Sequence, residues 1–198
     1  MKTLHSGFER YLISAAIFSL AYFSFGFLLL RARSVGFAIK EIALVYALFN
    51  ISFVVAAPLI GKLRDCIGRT RIVPLGHLIY LAMRLGFAFA STKTHIILFF
   101  VMYGVFNSID EAQSKAFIAD LEPERRATAI GIYNSVTGVL YLPASLIAGA
   151  LWVTHPTTVF ILAAMLSLTA MVTFLSLRPA PDEDPIDGTV LLPITLLR

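Results

Sequence analysis

The sequence predicts an all-α membrane protein, a bundle of six transmembrane helices, and three observations support this fold class. Of its 198 residues, 58% are hydrophobic and 14% are charged, whereas soluble domains are about 45–50% apolar and about 25% charged. The mean hydropathy is +0.83. Six apolar runs are long enough to cross a bilayer, and they lack the polar–apolar alternation of barrel strands. Because backbone groups in hydrocarbon must be satisfied within the segment, each run is predicted to be a helix.

The six predicted spans cover residues 11–30, 42–60, 72–90, 96–118, 127–153 and 157–177. The first, second, fifth and sixth contain no charged residue, as expected of segments that face lipid. The fifth contains Pro143, which a transmembrane helix tolerates when neighbouring groups satisfy the freed carbonyl. The third contains Arg84, and the fourth contains Asp110, Glu111 and Lys115.

The distribution of Lys and Arg beside the spans predicts the orientation in the membrane. One side receives Lys2, Arg10, Lys62, Arg64, Arg69, Arg71, Arg125, Arg126 and Arg178. The other side receives Arg31, Arg33, Lys40 and Lys93. Because positive residues concentrate in cytoplasmic loops, we expect both termini to be cytoplasmic. The same distribution accounts for the net charge of +4 without any binding of nucleic acid.

A change in composition after residue 178 predicts two parts of the chain. Residues 1–178 are predicted to form the transmembrane bundle. Residues 179–198 begin with a stretch rich in proline and acid that cannot continue a helix. The last apolar stretch, 190–197, is too short to cross a membrane. We therefore expect a mobile cytoplasmic tail. The alternative is a chance or truncated terminus that has no role.

The sequence predicts no cofactor, no metal site and no catalytic centre. Cys66 is the single cysteine, and the four histidines, His5, His77, His95 and His155, lack the spacing of metal ligands. We find no nucleophile–base pair, metal motif or phosphate-binding loop in the sequence. An enzyme is therefore not expected.

The loop between the second and third spans carries the most specific pattern in the chain. Its six notable residues are Gly61, Leu63, Asp65, Gly68, Arg69 and Arg71. Gly61 allows close backbone approach where a helix leaves the membrane, and Gly68 can adopt a positive φ in a tight turn. Asp65 can accept hydrogen bonds from a helix N-terminus or pair with an arginine. The two arginines are expected to stay at the anionic cytoplasmic leaflet.

These residues resemble the signature loop of the major facilitator superfamily, written G-x-L-x-D-x-x-G-R, and they occupy all five of its fixed positions. Cys66 and Thr70 depart from it, since a basic residue is common at both places. Residues 119–134 are similar to the loop between the tenth and eleventh helices of many bacterial members, and the first span resembles their seventh helix. The resemblance covers residues from about 10 to 178. It implies the C-terminal six-helix half of the superfamily's transporter fold, a gating role for the loop and a location in the cell inner membrane.

The charged residues within the spans are candidates for a functional site. Each charge near the bilayer centre costs about 2.5–3.5 kcal/mol, so Arg84, Asp110, Glu111 and Lys115 must face the bundle interior, water or one another. Glu111 and Lys115 are four residues apart and are predicted to pair on one helix face. Arg84 and Asp110 lie at similar predicted depths in the membrane, and these depths allow a contact between them.

Two interpretations of these four charges remain open. In the first, they form a site for substrate binding or proton coupling. In the second, they are a structural cluster, or Arg84 and Lys115 extend to opposite membrane surfaces. His77 is interpreted as a packing residue. Five other polar residues either line a cavity or bond across helices, namely Asn50, Asn107, Gln113, Tyr133 and Asn134.

The resemblance implies secondary active transport of a small solute, coupled to protons, with efflux as one direction it allows. The chain supplies about six spans where the family has about twelve, so we expect a half-transporter that needs a second half, from a homodimer or a separate chain. The expected partners are the lipid bilayer, a small-molecule substrate and this second half. The alternatives are a truncated or split fragment that transports nothing, and a membrane scaffold subunit.

Overall fold

A computed structural model describes residues 5–177, apart from the side chains of Asp65, Arg69, Ala112 and Gln113. In that part of the chain it contains seven helices and no strand. The helices are α1 (Ser6–Ala21), α2 (Gly26–Ser34), α3 (Ile39–Ile67), α4 (Arg69–Phe89), α5 (Lys93–Leu121), α6 (Arg126–Thr154) and α7 (Pro156–Leu177). The predicted tail, residues 179–198, lies outside the described residues.

The prediction of six membrane-spanning segments is confirmed. Six helical segments of the described chain are long and apolar enough to cross a bilayer, and α1 and α2 together form the first of them, Ser6–Ser34. Pro58, Pro74 and Pro143 lie inside α3, α4 and α6 without ending them. The protein is therefore a multi-pass membrane protein with an all-α bundle.

The first span is not one continuous helix, contrary to the prediction for residues 11–30. Residues 22–25 separate α1 from α2. Aromatic residues, serine and glycine form helices less readily than alanine or leucine, and all three types occur between Tyr22 and Gly26. A hydrogen bond to another helix satisfies part of the freed backbone, because the Ser24 N–H donates to Ser145 Oγ on α6 at 3.3 Å. The break is thus supported by tertiary contact.

A single residue connects α3 to α4. Gly68 has φ 85° and ψ 154°, and its N–H donates to the Arg64 carbonyl at 2.8 Å. A positive φ is costly for residues with a Cβ, so glycine is required for this tight reversal. The predicted conformation of Gly68 is confirmed.

Helix packing places α4 and α5 at the centre of the bundle. The most extensive contacts join α3 to α5 and α4 to α7, and α1 packs on α7 and α6. Gly104 on α5 permits the close approach of α3, since a Cβ there would lie 2.6 Å from Ser52 Cβ and 2.7 Å from the Phe49 carbonyl oxygen. Buried aromatic side chains, including Tyr80 and Phe100, fill the space between the helices.

Two helices, α3 and α6, are far less covered than the others. Only 17% of the most apolar stretch of each is buried, against 39–50% for the other four spans. Leu44 and Val54 on α3 are 70% and 65% exposed, and Leu142 and Leu146 on α6 are 69% and 76% exposed. Within the described chain, α3 and α6 therefore offer the largest area for lipid or for another protein.

Candidate functional site

The candidate site is built around Asp110, which α5 holds between two cavities. Its carboxylate oxygen Oδ1 accepts a weak hydrogen bond from Ser114 Oγ, one helical turn further on, at 3.5 Å. From Asp110 to the end of α5 at Leu121 the helix rises about 16 Å. The carboxylate thus lies well inside the span, where an ionised group needs polar neighbours or water.

The first cavity, here called the inner cavity, has a volume of about 30 Å³. Its lining residues come from α1, α4, α5 and α6, and the polar ones are Tyr11, Ser14, His77, Asp110, Ser114 and Tyr133. The His77 Nδ1 lies 2.8 Å from the Val73 carbonyl oxygen, whereas its Nε2 is buried without a partner among the described residues. His77 also packs edge-on against Phe18, with 4.5 Å between ring centres. His77 therefore packs in the bundle interior, but its side chain is not fully satisfied by the described residues.

The second cavity, here called the polar cavity, lies between α5 and α6 and has a volume of about 310 Å³. It is lined by Asn107, Asp110, Glu111, Ser114, Lys115, Tyr133, Asn134, Thr137, Gly138 and Tyr141. Three of the polar residues singled out in the sequence, Asn107, Tyr133 and Asn134, do line a cavity. Asn50 instead donates from Nδ2 to the Tyr46 carbonyl at 2.8 Å on the exposed side of α3.

The predicted pair of Glu111 and Lys115 is confirmed. Lys115 Nζ lies 3.8 Å from Glu111 Oε1, and the side chain of Lys115 is 60% exposed and that of Glu111 57% exposed. Both line the polar cavity beside Asp110. The structure therefore brings three of the four intramembrane charges together at one opening.

Arg84 does not join this group, and the contact with Asp110 that its depth in the membrane would allow is not made. Neither an ion pair nor a hydrogen bond links these two described side chains. Arg84 is only 1% exposed, and its Nη2 donates to the Tyr80 hydroxyl at 2.5 Å. Its guanidinium carbon lies 4.2 Å from the centre of the Phe23 ring and 4.5 Å from that of Tyr80. Extension of Arg84 to a membrane surface is wrong, because the side chain is enclosed by aromatic rings.

A group of tyrosines that was not singled out from the sequence lies beside Arg84 and the cavities. The Tyr80 hydroxyl donates to the Ala21 carbonyl at 2.6 Å, Tyr22 donates to Asn107 Oδ1 at 3.2 Å, and Tyr103 donates to Tyr22 at 3.3 Å. Tyrosines in membrane proteins concentrate at the two interfaces with water. Their position deep inside predicted spans was the sequence signal for an internal polar network.

The loop motif lies at the end of the bundle where α3 meets α4. Leu63 is 36% exposed and Arg71 is exposed, while the side chains of Asp65 and Arg69 lie outside the described set. No described atom comes within 4 Å of a Cβ built on Gly61. The close backbone approach predicted at Gly61 is therefore not made within the described chain.

Comparisons with known proteins agree with this architecture. The sequence model of the Major Facilitator Superfamily matches residues 11–196. An uncharacterized MFS-type transporter of Methanocaldococcus jannaschii is 35% identical over 176 residues, which is 85% of this chain and 44% of the relative. The efflux pump vrtL of Penicillium aethiopicum is 30% identical over 105 residues, 52% of this chain and 21% of the pump. The chain thus spans less than half the length of either of these two relatives.

Proposed function

Since this chain belongs to the major facilitator superfamily, we propose that it supplies six helices of a secondary active transporter for a small solute. Transporters of this type bind substrate near the bilayer midplane between two six-helix halves, which rock to expose the site to each side in turn. Efflux is the direction we favour, by analogy with the fungal pump that the chain resembles.

The observation that carries this proposal is the polar cavity between α5 and α6. Glu111 and Lys115 are both more than half exposed there, and Asp110 lies on the same wall. In hydrocarbon such charges would cost about 2.5–3.5 kcal/mol each. This face of the bundle therefore meets water or another protein, as the substrate-binding face of a transporter must.

The second half is proposed to cover the same face. The described half leaves α3 and α6 largely bare, and the exposed surface of α6 includes small and polar residues such as Gly131, Asn134, Ser135 and Gly138. Small residues permit close helix contact in membranes, and polar ones bond across helices. A second copy of this chain or a separate six-helix chain would bury this surface.

Proton coupling is assigned to Asp110, with Glu111 as the neighbouring carboxylate. Asp110 borders both the polar cavity and the inner cavity. The inner cavity, at about 30 Å³, suffices for one water molecule beside the carboxylate. Intramembrane carboxylates with such neighbours are common proton relays.

The topology that we propose places both termini in the cytoplasm and the protein in the cell inner membrane. The excess of Lys and Arg on the side that contains residues 61–71 and 122–126 supports this topology. Cysteine-accessibility labelling at His95 and at the native, exposed Cys66 in cells would test it. We expect a membrane-impermeant thiol reagent to label His95→Cys from outside in a Cys66→Ser background, and to label Cys66 of the wild-type chain only after permeabilisation.

The deciding experiment is reconstitution of the full chain in proteoliposomes that contain a proton-sensitive dye, with a panel of small solutes. We expect at least one solute to produce proton movement, and native mass measurement to show a dimer when the chain acts alone. Empty liposomes serve as the control. Transport by a species that is only monomeric would refute the requirement for a second half, and absence of flux with every solute, alone or with a candidate partner half, would refute transport.

A further inference from the structure

The cavity next to the polar cavity, here called the aromatic cavity, is the strongest unassigned feature of the molecule. Its volume is about 430 Å³, within the range of small-molecule sites. Its lining residues are Tyr22, Phe23, Ser24, Phe25, Tyr46, Phe49, Tyr103, Tyr141 and Ser145. We propose that this cavity binds the ring system of a flat aromatic cation whose charged group points towards Asp110. This inference rests on the proposed transport function and names its substrate class.

The break in the first span creates the aromatic wall of this cavity. In a continuous helix, successive side chains point about 100° apart, so four consecutive residues could not line one cavity. Because residues 22–25 are not helical, all four of these residues contribute to the lining. The hydrogen bond from the Ser24 N–H to Ser145 Oγ ties this segment to α6, which also contributes to the lining.

The rings of the wall present flat faces in related orientations. Phe49 and Tyr103 stack with 5.0 Å between ring centres and 25° between planes, and Phe25 stacks on Tyr103 at 5.6 Å and 28°. Tyr22 and Tyr141 lie 5.4 Å apart at 30°. A planar ring system extends such stacks, and the negative faces of tyrosine rings favour a ligand that carries positive charge.

The neighbouring charges favour a cation over an anion. Tyr141 lines both the aromatic cavity and the polar cavity, so the two spaces adjoin. The polar cavity carries Asp110, Glu111 and Lys115, and because the lysine pairs with Glu111, Asp110 is the carboxylate left for a ligand. Arg84 contacts the Phe23 ring but is only 1% exposed, so its charge is not presented to a ligand.

Three ligands separate the contributions of ring and charge. The full chain, in nanodiscs of zwitterionic lipid, is titrated with ethidium, with phenanthridine (the related uncharged ring) and with tetraethylammonium (a cation without a ring). We expect saturable binding of ethidium, read by its fluorescence anisotropy, and at least tenfold weaker binding of the other two, read by competition. Empty nanodiscs report partition into lipid.

Variants then locate the site. Tyr46→Leu and Tyr141→Leu should each weaken ethidium binding about fivefold, the size of one lost ring–cation contact. Tyr46 is 49% exposed, so its replacement disturbs the fold little. Phe89→Leu removes a ring that is 70% exposed at the end of α4, away from the cavity, and should change nothing. Asp110→Asn should weaken ethidium but not phenanthridine.

Three outcomes would overturn the inference: no saturable ethidium binding above empty nanodiscs, binding that all the aromatic variants leave unchanged, or equal affinity for ethidium and phenanthridine. Because binding is measured without flux, its failure is separable from that of the proposed function. A chain that moves another solute but ignores ethidium loses only the substrate class, whereas one that binds ethidium yet transports nothing retains the site and loses the transport function.

Discussion

Arg84 and Tyr80, one helical turn apart on α4, form a hydrogen bond of 2.5 Å between Nη2 and the hydroxyl oxygen. The same hydroxyl donates to the Ala21 carbonyl, the last of α1, at 2.6 Å. Arg84 thereby acts through Tyr80 on the break in the first span, and its guanidinium also packs on Phe23 within that break. This buried cation thus contacts Phe23 in the break directly and the end of α1 through Tyr80.

Tyr80→Phe should destabilise the bundle by about 1–2 kcal/mol, because it leaves the Ala21 carbonyl and Arg84 Nη2 without the hydroxyl between them. The measurement is reversible unfolding in mixed micelles, followed by helical circular dichroism. Tyr46→Phe is the matched control, since it removes the hydroxyl of a tyrosine that is 49% exposed. Equal stability of Tyr80→Phe and wild type would show that the hydroxyl does not hold the break.

Gly104→Ala should cost about 1–3 kcal/mol and loosen the packing of α3 on α5. The new Cβ would fall 2.6 Å from Ser52 Cβ and 2.7 Å from a backbone oxygen, and backbone cannot yield as a flexible side chain can. Gly131→Ala is the control, because no described atom lies within 4 Å of a Cβ there. Thermal unfolding of both variants in the same detergent decides the matter, and a Gly104→Ala protein as stable as Gly131→Ala would contradict the structure.

Arg31→Ala should lower the stability by about 1–3 kcal/mol, more than Arg33→Ala. Arg31 donates to the carbonyls of Phe87, Ala88 and Ala90, each at 3.0 Å, at the end of α4. A cation at a helix C-terminus also interacts favourably with the helix dipole. Arg33 makes one such bond, to Phe37 at 2.9 Å. Hydrogen exchange at the last turn of α4 should accelerate in Arg31→Ala, and an unchanged exchange rate there would count against the capping role.

Asp110→Asn should abolish the response of solute flux to a pH gradient, because an amide cannot take up and release a proton at this position. Glu111→Gln should have a smaller effect, since Glu111 is exposed and paired with Lys115. The assay is dye-monitored proton flux in proteoliposomes, once a transported solute is in hand. Glu41→Gln is the control, as Glu41 pairs with Lys93 at 2.8 Å on another part of the bundle. Undiminished proton-driven flux in Asp110→Asn would remove it as the coupling residue.

The local features of this protein could be read from the sequence because they depend on few residues. Lipid as solvent requires helices of about 20 apolar residues, so composition and run length were enough to place the six spans. The positive φ of Gly68 and the pairing of Glu111 with Lys115 are likewise set within one turn of chain.

The tertiary structure alone decided how the interior polar groups are arranged. Arg84 contacts aromatic rings and a tyrosine hydroxyl instead of Asp110. The direction of its side chain depends on how α4 is rotated and on which helices pack against it, and neither follows from the depth of a residue along a span. The break between α1 and α2 depends on groups from other helices, Ser145 and Tyr80, that replace the lost helical bonds. Composition thus determined that lipid surrounds the chain and that the chain forms helices, whereas packing between helices decided which charges stay buried and where the cavities open.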